Sequence, residues 1–72
     1  MDLNDRLLSA HASGDIRALI TLYEEAANSA NEDTARGFYL THAYVFALEA
    51  GAPEAATLRA RLVDMGREPR TA

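Results

Sequence analysis

The apolar residues of this 72-residue chain recur at helical spacing in four stretches. In the clearest stretch, Ile16, Leu19 and Tyr23 fall on one face of a helical projection, and polar residues fall on the other face. No stretch alternates apolar and polar residues as a half-buried strand does. The pattern therefore predicts an all-α fold with helices over residues 3–12, 15 or 16 to 29, 33–50 and 53–65.

Short polar residues, glycine and proline separate these stretches. Asp2 and Asp15 stand where helix N-caps are expected, and Asp33 is predicted to cap the third helix. Pro53 suits the first position of the fourth helix, because its missing N–H would be unpaired there. Gly66 is the expected C-terminal cap of that helix. The chain is therefore predicted to form a single all-α domain over residues 1–66, followed by a disordered tail over residues 67–72.

The third helix is apolar nearly all round. One face carries Tyr39, Leu40, Ala43, Tyr44, Ala47 and Leu48, and the opposite face carries Phe38, His42, Val45, Phe46 and Glu49. Such a helix is either buried on both sides or presents one side to a partner. We expect the first face, with Tyr23 and the leucines, to form the core, and both alternatives remain open for the second. Gly37 is expected to permit close packing.

Two segments of the chain resemble each other and a known repeat. Residues 14–26 resemble the turn and second helix of a tetratricopeptide repeat, and residues 44–56 bring a similar helix end and glycine turn. The turn glycines Gly14 and Gly51 are 37 residues apart, near the period of about 34 residues in that family. The resemblance implies two antiparallel helical hairpins and a role in protein or peptide binding. The alternative is an unrelated small helical bundle.

Composition narrows the classes of protein further. Without cysteine the chain has no disulfide or thiolate metal site, and a net charge of −4 argues against binding nucleic acid. No apolar run reaches the length of a membrane span, and the start lacks the features of a signal peptide. We therefore expect a cytoplasmic protein, with peripheral association with a membrane complex left open. Many alanines, and arginine in place of lysine, are typical of a GC-rich bacterial source.

The sequence offers little for catalysis or for metal binding. His11 and His42 are far apart, and no nucleophile motif or phosphate-binding glycine loop occurs. The carboxylate pairs Glu24-Glu25 and Glu32-Asp33 are adjacent in sequence, so their side chains would point in different directions on a helix. We expect no enzyme activity, no cofactor and no metal.

A protein-binding role is the remaining hypothesis. We predict a small accessory or adaptor protein that docks onto a larger assembly through an apolar helix face. The alternative is a self-associating, homodimeric regulatory protein that uses the same face. The residues predicted to bind the partner are Phe38, His42, Val45, Phe46 and Glu49.

Overall fold

A computed structural model describes residues 2–67 of the chain and places four α-helices in them. They are α1 (Leu3–Ser13), α2 (Ile16–Ser29), α3 (Asp33–Ala50) and α4 (Glu54–Asp64), and the described residues contain no strand. The predicted all-α class is confirmed. Of the tail predicted over residues 67–72, only Arg67 is described, and its backbone N–H donates to the carbonyl of Leu62 at 2.8 Å. Residues 68–72 lie outside the described part.

Aspartate side chains begin the first two helices, as predicted. The Oδ1 atom of Asp2 accepts the N–H of Asp5 at 2.9 Å, and Oδ1 of Asp15 accepts the N–H of Ala18 at 3.1 Å. Each bond satisfies one backbone donor that the first turn of a helix leaves without a partner. Both helix starts therefore follow from local chemistry.

The start of α3 differs from the prediction. Glu32 occupies the N-cap without a side-chain cap, and Asp33 is the first helical residue. The Asp33 carboxylate instead pairs with Arg36 one turn later, at 2.8 Å, and Arg36 also donates to the carbonyl of Ala30 at 2.9 Å. The predicted cap at Asp33 is wrong because the chain is already helical at this residue, and Glu32 before it has the extended backbone of an N-cap. The start of α4 also differs from the prediction. Pro53 occupies the N-cap, and the first helical residue is Glu54.

Glycines end three of the helices in the same way. Gly51 has a φ of 62°, and the N–H of Ala52 after it reaches back to the carbonyl of Ala47 at 2.9 Å. This bond is the mark of a Schellman ending, which favours glycine because a side chain is strained at positive φ. Gly14 and Gly66 end α1 and α4 with the same geometry. The C-cap of α4 is Met65, and the predicted Gly66 follows it with a φ of 74°.

Each helix packs against its neighbours in sequence. Backbone contacts join α1 to α2, α2 to α3 and α3 to α4, and within residues 2–67 none joins α1 to α4. The short connections place successive helices antiparallel. The result is a thin array of 32 × 29 × 16 Å in which α3 lies between α2 and α4. Stacked hairpins and small open bundles share this order, so the resemblance to tetratricopeptide repeats stays a hypothesis.

Two apolar clusters hold the array together. The larger one lies between α2, α3 and α4, and its fully buried large side chains are Ile20, Leu40, Leu58 and Leu62. The smaller one joins α1 to α2 through Ala10, Leu19 and Leu22. Of the predicted core tyrosines, Tyr44 is buried, and Tyr23 and Tyr39 are partly buried and packed against the larger cluster. No charged or polar side chain is buried among the described residues.

Two leucines depart from the prediction that leucines form the core. Leu8 is 60% exposed and Leu48 is 49% exposed. Leu8 is open because α1 makes backbone contact with one helix, α2, which covers a single strip of its surface. Leu48 lies about 100° round the helix from the buried Ala47, beyond the strip of α3 that its two neighbours cover.

Candidate interaction surface

The side of α3 that faces away from the core carries exposed apolar residues. Phe38, Val45 and Leu48 are 56%, 45% and 49% exposed. Together with the exposed Thr41 they occupy positions separated by three, four and three residues, which places them on one face of the helix. We call Phe38, Thr41, Val45 and Leu48 the outer stripe. It spans about 15 Å along the axis at 1.5 Å per residue.

The inner face of α3 is closed. Leu40, Ala43 and Ala47 have no exposed surface, and Tyr44 retains 4%. Helix α3 was predicted to have two apolar faces. Its inner face is buried by α2 and α4, and its outer face is not covered by any other helix of residues 2–67.

The predicted partner-binding residues separate into two groups. Phe38, Val45 and Glu49 are exposed on the outer side of α3. His42 and Phe46 are partly buried, and Phe46 packs against both apolar clusters. Their role in binding stays a prediction. Leu48 was not among the predicted binding residues because the projection placed it on the core face, although its spacing from Phe38 and Val45 could have indicated it.

An aromatic cluster supports the base of the outer stripe. Tyr23 is its centre: its hydroxyl is 2.9 Å from Nε2 of His11, and its ring stacks on those of His42 and Phe46 with centroids 5.1 and 5.8 Å apart. The ring of Phe38 in turn lies 4.3 Å from that of His42. The chain of rings fixes the position of Phe38 relative to α2. Both histidines therefore take part in aromatic packing, with Tyr23 between them.

Opposite charges mark the two ends of the outer stripe. At one end the side chain of Arg67 lies across Gly37, so that a Cβ added to this glycine would overlap the Cδ and guanidinium of Arg67. The close packing expected at Gly37 is confirmed. At the other end Glu49 is exposed, one residue after Leu48. Neither Arg67 nor Glu49 forms a salt bridge within residues 2–67.

Polar side chains cross the surface between the other helices. Arg17 donates to both carboxylate oxygens of Glu54, at 3.2 and 2.8 Å, which links α2 to α4. These hydrogen bonds hold the pKa of Glu54 below its usual value. Arg61 adds a second link between the two helices by donating to Asn28 at 2.8 Å. These surfaces are therefore occupied by internal polar contacts, in contrast to the outer stripe.

Other kinds of site find little support in residues 2–67. No group of three or more His, Cys, Asp or Glu side chains in that range could hold a metal ion. None of the helices there is long and apolar enough to cross a membrane. No model of a protein family, no curated protein and no solved structure matches the chain. The functional argument therefore rests on the outer stripe and its surroundings.

Proposed function

We propose that this protein is a small accessory or adaptor protein that docks onto another protein surface through the outer stripe of α3. One observation carries the proposal: Phe38, Val45 and Leu48 are about half exposed on one face of the longest helix. The core is closed by other residues and does not need them. Exposed apolar residues that share one face of a helix are a feature of protein-interaction sites.

The energy available at this surface sets the kind of partner. Full burial of a large apolar side chain contributes about 1.5–3 kcal/mol. Because about half of each side chain is already covered, the three together offer roughly 2–4 kcal/mol. Association costs at least as much in lost freedom of motion. A partner must therefore add contacts at the rim, where Glu49 and Arg67 stand.

The partner that fits is an apolar helix or a groove of similar length. Residues spaced three, four and three apart form a narrow line, which packs against another helix by interlocking side chains. A larger assembly that presents such a helix would make this chain an accessory subunit. A second copy of the chain would make it a homodimeric regulatory protein.

Site-specific photo-crosslinking tests the proposal. A benzophenone amino acid replaces Phe38 in one chain and Leu8 in a matched control, because Leu8 is an equally exposed apolar residue on α1. In extracts of its own cells we expect discrete adducts from position 38 and none from position 8. Excess unlabelled protein should compete for these adducts, whereas the Val45→Ser/Leu48→Ser variant should not. Equal labelling from both positions, or competition by that variant, would overturn the proposal.

A further inference from the structure

We propose that the partner of the outer stripe is an acidic amphipathic helix of another protein, whose carboxylates lie along one edge of α4. The inference rests on the proposed function, since it names the chemistry of the partner at the same surface. Two arginines carry it. Arg59 and Arg67 border the outer stripe, and neither forms a salt bridge within residues 2–67.

The other arginines of residues 2–67 already have a partner inside the chain. They donate hydrogen bonds to side chains of neighbouring elements or of the same helix: Arg6 to Glu25, Arg17 to Glu54, Arg36 to Asp33 and Arg61 to Asn28. Arg59 and Arg67 are both exposed. The positive charge that is not used within the described fold is therefore concentrated in the last part of that fold, at α4 and just after it.

Arg59 lies on the flank of α4 that faces away from α2. Leu58 and Leu62 are buried in the core, and Arg61 reaches α2. At 100° per residue, Arg59 falls on the opposite side of these leucines from Arg61, and Val63, which is 37% exposed, falls next to it. The other neighbour of α4 is α3. Arg59 and Val63 therefore border α3.

Arg67 continues this line to the start of the outer stripe. Its side chain lies across Gly37, one residue before Phe38. Arg67 and Phe38 line the same open cleft of about 260 Å³. The guanidinium group and the first aromatic ring of the outer stripe are thus parts of one surface.

The two arginines are spread along the length of the outer stripe. Because α3 and α4 run antiparallel and Arg67 lies at Gly37, Arg59 lies about level with Val45, eight residues further along α3. Eight residues correspond to about 12 Å along a helix axis. We call Arg59, Val63 and Arg67 the α4 edge. It adds one apolar and two cationic side chains to the same side of the outer stripe.

These charges select the chemistry of the partner. A helix that packs along the outer stripe has one of its sides next to the α4 edge. Residues seven or eight apart on that helix share a side and lie about 10–12 Å apart, so carboxylates at this spacing meet both guanidinium groups. On the other flank of the outer stripe the exposed Glu49 disfavours a second row of carboxylates. The partner helix is therefore acidic on one side of its apolar face.

A nucleic acid or an anionic membrane fits this surface less well. Both present dense negative charge and are recognised by clusters of lysine and arginine. The α4 edge has two arginines, Glu49 stands on the opposite flank, and the whole chain has a net charge of −4. Separate carboxylates on a protein helix match two separate arginines without bringing further negative charge against Glu49.

Two synthetic helical peptides test the inference by NMR titration of the full chain. Both carry leucine at four positions with the spacing of the outer stripe. One has glutamate at two positions seven residues apart beside the leucines, and the other has glutamine there. We expect the glutamate peptide to bind about three- to tenfold more tightly, because it forms two exposed ion pairs. Equal binding of the two peptides, or no binding of the glutamate peptide at millimolar concentration, would overturn the inference.

Arg59→Gln and Arg61→Gln are a matched pair of variants, since they remove the same charge from opposite flanks of α4. Arg59→Gln should weaken binding of the glutamate peptide by about two- to fivefold and leave the glutamine peptide unaffected. Arg67→Gln should act in the same way, and Arg61→Gln should alter neither peptide. An equal loss in Arg61→Gln, or an equal loss with both peptides, would contradict a role of the α4 edge. Circular dichroism of each variant checks that the fold is retained.

The inference and the proposed function fail in different ways. If the two peptides bind equally while adducts form from position 38, the partner is not acidic but the outer stripe still docks. Absence of adducts from position 38 would instead remove the proposed function. Sedimentation with phosphatidylglycerol vesicles is measured in parallel. Binding to these vesicles that is lost in Arg59→Gln/Arg67→Gln would assign the α4 edge to a membrane and overturn the inference.

Discussion

The two faces of α3 are built from similar apolar residues but differ in what covers them. Leu40 and Ala47 on the inner face are fully buried, whereas Phe38 and Leu48 on the outer face keep about half of their surface exposed. Composition alone does not distinguish the faces. The number of neighbouring helices does, because α2 and α4 cover one side of α3 and the described part of the chain has no other helix against its opposite side. An apolar surface thus acts as core or as interface according to what packs on it.

Among substitutions on the two faces of α3, we expect Leu40→Ala to have the largest effect on the free energy of unfolding. This substitution opens a cavity in the larger cluster and should lower the free energy of unfolding by about 2–5 kcal/mol. Domains this short rarely exceed roughly 3–5 kcal/mol in total, so the variant should be largely unfolded at room temperature. Circular dichroism with urea denaturation measures this. A melting temperature within a few degrees of the wild type would show that the inner face is not the core.

A smaller loss of stability is expected from substitution of Phe46, which lies between the two faces of α3. Because its ring is partly exposed but packs against both clusters, Phe46→Ala should cost about half of the 3–5 kcal/mol typical of a buried phenylalanine. Phe46→Leu, which retains much of the volume, is the control and should cost less. Urea titration of both variants gives the two values. A change in the free energy of unfolding near zero would show that Phe46 belongs to the outer surface and not to the core.

The outer face should tolerate change when the chain is dilute. We expect Phe38→Ser to alter the free energy of unfolding by no more than about 0.5 kcal/mol, with Leu8→Ser as a matched exposed control. The measurement is a thermal melt at a concentration where the wild type is monomeric. Unfolding of the Phe38→Ser variant to the extent expected of Leu40→Ala would place the outer stripe in the core and remove the basis of the proposed function.

The smallest effect on stability is expected from the Arg17–Glu54 pair, which links α2 to α4. Hydrogen bonds from Arg17 hold the pKa of Glu54 below its usual value of 4.5, so the unfolded chain takes up a proton at this site more readily than the folded one. The contribution to stability is therefore complete above the usual value and is lost as the pH falls through the lowered one. The exposed pair contributes little. Thermal melts should show a difference between wild type and Glu54→Gln that disappears in acid; a difference independent of pH would contradict this.

Features fixed by a few neighbouring residues could be predicted from the sequence. The caps at Asp2 and Asp15 depend only on local hydrogen bonds, and both were predicted correctly. The bounds of α3 were also correct. The cap at Asp33 was wrong by one residue: the helix begins at Asp33, and its carboxylate pairs with Arg36 one turn later.

Features that depend on distant parts of the chain could not be predicted in this way. The exposure of Leu48 depends on how far α4 extends over α3, and a helical projection contains no neighbours. The place of Arg67 over Gly37 joins residues 30 positions apart. The opposite charges near the two ends of the outer stripe therefore became visible only in three dimensions.

The open order of the helices also has a consequence for local unfolding. Backbone contacts join α1 to α2 alone. Its side chains add a small cluster around Leu19 and Leu22, the hydrogen bond between His11 and Tyr23, and an edge contact of His11 with Phe46. We expect α1 to open while α2–α4 remain folded, so its amide protons should exchange with solvent well before those of α3. Amide exchange measured by NMR would show this as two levels of protection, and a single level throughout would contradict it. Separation of α1 from the rest of the fold would then expose Tyr23, while α3, which carries the outer stripe, stays folded.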